Sequence, residues 1–185
     1  MAKESGLTLI ELLVTIVVLS VLLALGVPGL QNFVKSNRAT GQANDLAVAI
    51  QLARSEAVKR GTRGVICAKE ADKELCSGND DWTTGWIVFT DIDQDGTLKL
   101  DVNGDGVEDC VNDDCIVRTH GAVKKATLDG AGVDSISFLP NGLVHNAPDV
   151  DMTLTLTADN CEKDQSRAIS ITKRGHTRVT RQDCP

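Results

Sequence analysis

An apolar run of 24 residues near the start of the chain constrains the fold more than any other feature. Residues 7–30 read LTLIELLVTIVVLSVLLALGVPGL and contain one charged side chain, Glu11. A helix needs about 20 apolar residues to cross a bilayer. A secretory signal peptide is the alternative, but its apolar region usually has about 7–15 residues and ends at a small-residue cleavage site. No such site closes this run, so the pattern favours a retained membrane helix.

Glu11 needs a compensating interaction within such a helix, because a carboxylate there costs about 2.5–3.5 kcal/mol on insertion scales. Either Glu11 lies close enough to the membrane edge to reach water, or a positive group lies at the same depth. A cut just before Leu7 would create a free amine about one helical turn away. Between two packed, staggered subunits, the amine of one could then meet Glu11 of the other.

The start of this run resembles the processing site of type IV prepilins and type II secretion pseudopilins. Residues 6–11 read Gly-Leu-Thr-Leu-Ile-Glu. The resemblance implies that a prepilin peptidase cuts between Gly6 and Leu7 and methylates the new N-terminal Leu7. Glu11 then falls at the fifth mature position, where the family carries its Glu, and Pro28 at the position of a common helix-breaking Pro. The family usually has Phe after the cut, so Leu7 is a departure.

Helical periodicity continues beyond Pro28, where the helix either kinks or can extend. Apolar residues recur every three or four positions up to Arg60, and Gly61 is a plausible helix stop. These apolar positions are Leu30, Phe33, Val34, Leu46, Ile50, Ala53 and Ala57. The pattern predicts an amphipathic helix whose apolar stripe covers another part of the fold.

Short β-branched or alternating runs follow residue 61 and predict strands. They lie at 64–68, 86–90, 116–120, 135–139, 152–157, 168–172 and 177–180. The predicted fold class is α+β, with a long N-terminal helix packed on a mostly antiparallel β-sheet head, which is the type IV pilin shape. The predicted organisation is a leader at 1–6, a membrane-spanning half-helix at 7–30, an amphipathic half-helix at 31–60 and a β-rich head at 61–185.

Three further segments resemble the GspH/FimT group of minor pilins and pseudopilins, which includes FimU. They are ARSEAVKRG at 53–61, VIC at 65–67 and WTTGWIVFTDIDQDG at 82–96. The resemblance implies a structural subunit that primes or caps a type IV pilus or a type II secretion pseudopilus. It implies a bacterial inner-membrane location with a periplasmic head. The implied partners are other major and minor pilins or pseudopilins, the prepilin peptidase and the inner-membrane assembly platform. The Gly-Trp-x-Val-Phe segment is closer to the pilus members, and a GspH-type secretion pseudopilin is the alternative.

Six cysteines suggest disulfides, which persist in an oxidising compartment. In sequence order they form three near pairs, Cys67/Cys76, Cys110/Cys115 and Cys161/Cys184, among 15 possible pairings. Closure of the C-terminal region by the last pair is what many pilins show. Zinc is disfavoured because there is no C-x-x-C, and His120, His145 and His176 lack ligand spacing. No cofactor is expected, except for a calcium ion at the site described next.

The middle of the chain is strongly acidic. Residues 69–115 contain fourteen Asp and Glu against three Lys. Within them, Asp91-x-Asp93-x-Asp95-Gly96 and Asp101-x-Asn103-x-Asp105-Gly106 both match the first half of a calcium loop. Both lack the Glu at position twelve, and Asp and Asn also favour ordinary turns. A calcium site and plain turns therefore both remain open.

The C-terminal tail is basic, although the whole chain has a net charge of −7, which disfavours general nucleic-acid binding. The cations are Lys173, Arg174, Arg178 and Arg181. Alternate strand residues face the same way, so Arg174, His176 and Arg178 could share a face that contacts DNA phosphates. In the FimT branch a Gly-Arg-x-Arg motif binds DNA during uptake. Here Gly175-His176-Thr177-Arg178 has His at the first Arg position. The alternative is a docking surface for an acidic pilin head.

No catalytic motif accompanies these features. The sequence contains no G-x-S-x-G, no phosphate loop and no H-E-x-x-H. Cysteines held in disulfides are also poor nucleophiles. The sequence therefore predicts a structural protein rather than an enzyme.

Overall fold

The computed structural model describes residues 8–100, 113–145 and 150–185, with the backbone alone for residues 25–29. One long helix, α1 (Leu9–Arg60), precedes eight strands in chain order. The strands are β1 (Arg63–Ala68), β2 (Trp86–Asp91), β3 (Cys115–His120), β4 (Ala126–Asp129), β5 (Ser135–Phe138), β6 (Met152–Ala158), β7 (Ser166–Ile171) and β8 (Thr177–Gln182). This α+β architecture confirms the fold class predicted from the sequence.

Both ends of α1 are capped by local interactions. At the start, the Thr8 side chain accepts a hydrogen bond from the backbone N–H of Glu11, and the Glu11 carboxylate accepts one from the backbone N–H of Thr8. At the other end, Gly61 adopts the left-handed conformation with φ 68° and ψ 20°, and its N–H donates to the carbonyl of Ala57. The 52-residue helix is about 78 Å long at 1.5 Å per residue.

The two halves of α1 have different surroundings. From Ala39 onward, apolar residues three or four positions apart are buried against the head, including Leu46, Ile50, Ala53 and Ala57. The upstream residues Leu30, Phe33 and Val34, placed on an apolar face by their spacing, are 64%, 63% and 46% exposed. The predicted apolar stripe thus packs on the head only from Ala39 onward.

The head contains two antiparallel four-stranded sheets rather than the single sheet that the strand pattern suggested. Their orders are β3-β2-β1-β5 and β4-β6-β7-β8. Strand β4 was not predicted because Ala126 and Asp129 are poor strand formers, but it pairs with β6 from Ala126 opposite Ala158 to Asp129 opposite Thr155. The inner faces of the sheets and the second half of α1 enclose the main core, which includes Trp82.

Close approach between α1 and β1 depends on a glycine. A Cβ atom added at Gly64 would lie 2.2 Å from the carbonyl oxygen of Ala53 in α1. Any side chain at this position would push the helix away from the sheet. Gly64 therefore allows the small residues of α1 to sit directly on β1.

Two disulfides join residues that are close in sequence. Cys67 is bonded to Cys76, and Cys161 to Cys184. Both pairings are among the three near pairs read from sequence order. Cys115 is also in a disulfide. Cys110 lies outside the described residues, so the Cys110/Cys115 pairing stays a prediction.

Candidate functional site

The first candidate site is the start of α1, where Thr8 and Glu11 form a reciprocal pair. The Thr8 N–H and hydroxyl both lie 3.1 Å from Glu11 Oε2, and the Glu11 N–H lies 3.3 Å from the Thr8 hydroxyl. This arrangement satisfies backbone donors that the first turn of a helix otherwise leaves free. It fixes the Glu11 carboxylate within one turn of the predicted cleavage point. Gly6 and Leu7 lie outside the described residues.

Next to this pair, the first half of α1 presents apolar side chains in every direction. Each large apolar residue from 9 to 23 is at least half exposed. These residues are Leu9, Ile10, Leu12, Leu13, Val14, Ile16, Val17, Val18, Leu19, Val21, Leu22 and Leu23. Among the helical residues that the structure describes, no segment combines the length and the hydropathy that a membrane crossing requires.

The other half of α1 is attached to the head by a buried arginine that sequence reasoning missed. Arg167 in β7 is 1% exposed. Its Nη2 donates to the Ser36 hydroxyl at 2.8 Å and the Thr40 hydroxyl at 3.0 Å. Its Nη1 donates to the carbonyls of Asp164 and Ser166 at 2.8 Å and 2.7 Å. Burial lowers the pKa of Arg167, and the nearby Arg181 lowers it further. No sequence signal separates this Arg from the exposed ones, because its burial follows from the packing of α1 on β7.

Polar contacts further along α1 continue the attachment. Gln51 Nε2 donates to the Thr177 hydroxyl at 2.8 Å, and Arg54 Nε donates to the carbonyl of Gly142 at 2.9 Å. Gln42 accepts a hydrogen bond from the N–H of Lys124 at 2.5 Å. Since these contacts reach the start of β8, the turn after β5 and the loop before β4, the head and the second half of α1 form a single packed unit.

A second candidate site is the acidic loop at the end of β2. One carboxylate oxygen from each of Asp91, Asp93 and Asp95 lies within 4.8 Å of the others. Lys99 Nζ lies 2.9 Å from Asp93 Oδ2 and also contacts Asp95 Oδ2. The ammonium group of Lys99 lowers the pKa of Asp95. The loop therefore holds three converging carboxylates with one internal cation beside two of them.

Asp91 differs from its neighbours because its side chain is completely buried. Its Oδ2 accepts a hydrogen bond from the N–H of Gly96 at 2.9 Å and lies 3.5 Å from Arg63 Nη1. Its Oδ1 has no hydrogen-bond partner among the described residues. Burial raises the pKa of Asp91 to about 6; the charge of Asp114 and a contact with Asp93 add to the rise.

Asp114, which the sequence did not single out, closes this loop. Its Oδ1 accepts the N–H of Ile92 and its Oδ2 accepts the N–H of Lys99, both at 2.8 Å. Burial raises the pKa of the Asp114 carboxyl, and the charges of Asp93 and Asp95 act in the same direction. The Asp114 carboxylate joins the two ends of the 92–99 segment.

Comparison with known proteins gives the chain a family. The model described as "Type II transport protein GspH" matches residues 42–175, which is more than half of the chain. The chain belongs to the GspH family. Residues 1–27 also match the prokaryotic N-terminal methylation motif. These matches confirm the GspH/FimT resemblance and make this chain a minor pilin or pseudopilin. Among curated proteins, none matches it significantly.

Two solved pilin-type proteins are similar in structure to this GspH-family chain. The type IV minor pilin FimU of Pseudomonas aeruginosa strain PAO1 is 22% identical in one crystal form, with a TM-score of 0.53, covering 80% of this chain and 92% of that chain. In another crystal form it is 23% identical with a TM-score of 0.50, covering 76% and 91%. The minor pseudopilin EpsH of the Vibrio cholerae Type 2 Secretion System is 16% identical, with a TM-score of 0.46 and coverage of 78% and 97%. The FimU likeness supports the type IV pilin-like fold.

The cations of the basic tail of this GspH-family chain do not share the single strand face that strand alternation had suggested. Strand β8 begins at Thr177, so Arg174 and His176 lie in the preceding turn and not on the strand. Arg178 and Arg181 are three positions apart and therefore point to opposite faces of β8. Arg181 lies 3.7 Å from Asp164. DNA binding by Lys173 and these cations stays a prediction.

The second acidic repeat does not fall within the described residues. Asp101, Asn103 and Asp105 all lie between 101 and 112, outside the ranges that the structure describes.

Proposed function

We propose that this chain is a minor subunit that primes or caps a type IV pilus or a type II secretion pseudopilus. The division of α1 into two halves supports this most directly. Among the side chains that the structure describes before residue 36, the large apolar ones are exposed, whereas Leu46 and Ile50 are buried against the head. An apolar helical surface that the described residues of its own chain leave uncovered is a surface for lipid or for other subunits. A fibre with helices side by side at its centre provides that cover.

Processing precedes assembly in this proposal. A prepilin peptidase removes residues 1–6, and Leu7 becomes the methylated N-terminus. The match of residues 1–27 to the N-terminal methylation motif supports this step. Before assembly the subunit lies in the bacterial inner membrane as a single-pass protein, with the membrane half of α1 at 7–30 and the head at 61–185 in the periplasm.

Glu11 then guides the entry of the subunit into the fibre. Both hydrogen bonds that the Glu11 carboxylate accepts from Thr8 go to Oε2, so Oε1 is the oxygen for a donor from another subunit. In the fibre, the α-amino group of a neighbouring subunit donates to this carboxylate. The pairing offsets the cost of about 2.5–3.5 kcal/mol for a carboxylate in an apolar environment. Pro28 gives the helix a point where it can bend or extend as the subunit enters.

The proposed role is structural, and it requires protein partners rather than a substrate. These partners are other pilins or pseudopilins, the prepilin peptidase and the inner-membrane assembly platform. The genes next to this one distinguish a pilus from a secretion pseudopilus, because each assembly is encoded together with its own set of components.

Fibre incorporation tests the Glu11 step. Wild-type chain, Glu11→Ala and a control, Thr15→Ala, would be expressed in cells that lack their own copy. Thr15 is a suitable control because it is exposed on the same half of α1 and its hydroxyl bonds only within the helix, to the carbonyl of Leu12. Sheared fibres and whole cells would be compared by immunoblot, and mass spectrometry would report the N-terminus.

We expect cleaved, methylated protein in all three strains and loss of Glu11→Ala from the sheared fraction. Glu11→Ala removes the carboxylate and leaves the amine of the neighbouring subunit charged and unpaired in an apolar environment. A charged group there costs about 2.5–3.5 kcal/mol, which corresponds to roughly 100-fold less incorporation. Thr15→Ala should enter fibres as the wild type does. Wild-type incorporation of Glu11→Ala at equal cellular levels would refute the proposed pairing.

A further inference from the structure

The acidic loop after β2 combines two features that together indicate a ligand. Asp91, Asp93 and Asp95 each direct a carboxylate oxygen to within 4.8 Å of the other two. The Asp91 side chain is fully buried, and its Oδ1 has no hydrogen-bond partner among the described residues. Buried carboxylate oxygens are normally paired or bound to a metal, because removing them from water unpaired is costly. We propose that a calcium ion binds Asp91, Asp93 and Asp95.

The carboxylates around the loop outnumber the cations that contact them. Asp114 adds a fourth carboxylate, through its contacts with the backbone of Ile92 and Lys99. The cations that contact these carboxylates in the described structure are Arg63, at Asp91, and Lys99, at Asp93 and Asp95. Four carboxylates therefore face two cations. A divalent ion would balance the remaining charge.

The donor set selects calcium among the common metals. All three side chains offer oxygen, and no nitrogen or sulfur ligand belongs to the cluster. Calcium takes six to eight oxygen ligands in flexible geometry, and it uses side chains at loop positions one, three and five with Gly at position six. Asp91, Asp93, Asp95 and Gly96 occupy those positions, and Gly96 has φ 85°, in the left-handed region. Magnesium demands a near-ideal octahedron and retains waters, so this loop should bind it more weakly.

Lys99 must move for the ion to bind. Its Nζ lies 2.9 Å from Asp93 Oδ2 and also contacts Asp95 Oδ2, so the ammonium group competes with the metal for these two carboxylates. The Lys99 side chain is 47% exposed and can swing into solvent. Removing this competitor, and its positive charge, should therefore strengthen calcium binding at Asp93 and Asp95.

Binding would connect the buried end of β2 to the exposed loop. Asp91 is the last residue of β2, whereas Asp93 and Asp95 belong to the loop that follows. An ion held by all three fixes the loop to the sheet. Because the ion binds the folded head and not the unfolded chain, it raises the stability of the head by an amount that grows with calcium concentration.

Calorimetric titration and thermal unfolding of the full chain test the site. The oxidised chain in detergent micelles would be stripped with EDTA and titrated with CaCl₂ or MgCl₂ up to about 10 mM, ten times the Kd of the weakest extracellular calcium modules. The variants are Asp93→Asn/Asp95→Asn, Asp91→Asn and Lys99→Met. The control Asp151→Asn/Asp159→Asn removes two exposed carboxylates at the ends of β6, on the other sheet.

We expect one calcium ion per chain with a Kd of about 10⁻⁴–10⁻³ M, together with a rise in melting temperature. Asp93→Asn/Asp95→Asn should weaken binding at least about tenfold, Lys99→Met should strengthen it about two- to fivefold, and the control should match the wild type. Asp91→Asn should also weaken binding. Circular dichroism in EDTA would verify that each variant is folded before it is compared.

Several outcomes would overturn the proposal. They are no saturable calcium binding by the wild type, an equal response to magnesium, or an unchanged response in the folded Asp93→Asn/Asp95→Asn variant. An unchanged or weaker affinity in Lys99→Met would also overturn it, because the ion would then lie away from the carboxylates that Lys99 contacts.

Discussion

Replacing Arg167 should loosen the attachment of α1 to the head. The guanidinium is 1% exposed and donates to the hydroxyls of Ser36 and Thr40 on α1. It also donates to the carbonyls of Asp164 and Ser166 beside and within β7. The contacts therefore join the helix to the second sheet through a single side chain.

The expected loss in the free energy of unfolding is the balance of opposing contributions. Each hydrogen bond to a charged group contributes about 1.5–3 kcal/mol, whereas burial of the ion offsets several kcal/mol of that gain. Arg167→Ala also leaves a cavity and several buried acceptors without a donor, so we expect the free energy of unfolding to fall by about 3–5 kcal/mol. Arg167→Met fills most of the volume and should cost about 2–3 kcal/mol, from the lost hydrogen bonds.

Urea unfolding of the oxidised full chain in detergent micelles measures this loss. Trp82 and Trp86 are both 0% exposed, so their fluorescence reports exposure of the core. The control Arg174→Ala removes an exposed arginine from the β7–β8 turn and should change stability by less than about 0.5 kcal/mol. A loss below about 1 kcal/mol in Arg167→Ala would contradict the reasoning.

A double-mutant cycle between Arg167→Met and Ser36→Ala locates the effect. The two residues are 131 positions apart in sequence, and their side chains are hydrogen-bonded at 2.8 Å. Contacting residues of this kind show interaction energies of about 0.5–3 kcal/mol. Strict additivity of the two substitutions would show that the guanidinium does not attach α1 through Ser36.

Three further predictions can be checked in the same unfolding assay. Gly64→Ala places a Cβ 2.2 Å from a carbonyl of α1 and should cost about 3 kcal/mol, whereas Gly41→Ala meets no atom within 4 Å and should stabilise the helix by about 1 kcal/mol. Cys161→Ser/Cys184→Ser removes a disulfide that joins residues 23 positions apart, and the free energy of unfolding should fall by about 3 kcal/mol. An unchanged free energy of unfolding would contradict this. A hydrogen bond from Arg60, together with the charges nearby, lowers the pKa of Glu56 below 4.5 in the folded protein. The ionised Glu56 therefore adds to the free energy of unfolding above pH 4.5, and this stabilisation is lost as the pH falls through the lowered pKa. Glu56→Gln should therefore cost about 0.5–1 kcal/mol at pH 7 and progressively less in acid, as a pH series would show.

Local features of the sequence were enough to predict the elements of the fold. The helix end at Gly61 was predictable because a left-handed C-cap depends on one residue and its neighbours. Seven of the eight strands were recognisable from β-branched or alternating runs. The exception is β4, whose Ala126 and Asp129 have low strand propensity, so that this segment becomes a strand through its pairing with β6.

Arrangements between distant segments were not predictable in the same way. The division into two sheets depends on which strands pair, and strand pairing brings together residues far apart in sequence. The spacing of Leu30, Phe33 and Val34 indicated an apolar face, but their position beyond the head leaves them exposed. Periodicity indicates which side chains share a face of the helix. It does not indicate which segment, if any, packs against that face.

The apolar first half of α1, the processing motif, the end of the helix at Gly61 and membership of the GspH family all follow from local runs of residues. Burial follows from packing instead: Arg167 is buried while Arg174 is exposed, and Asp91 is buried while Asp93 and Asp95 reach solvent. These differences arise because burial is set by the segments packed against a residue, and such segments come from elsewhere in the chain. The same packing places Asp114 and Lys99 around the acidic loop, where they shape its charge.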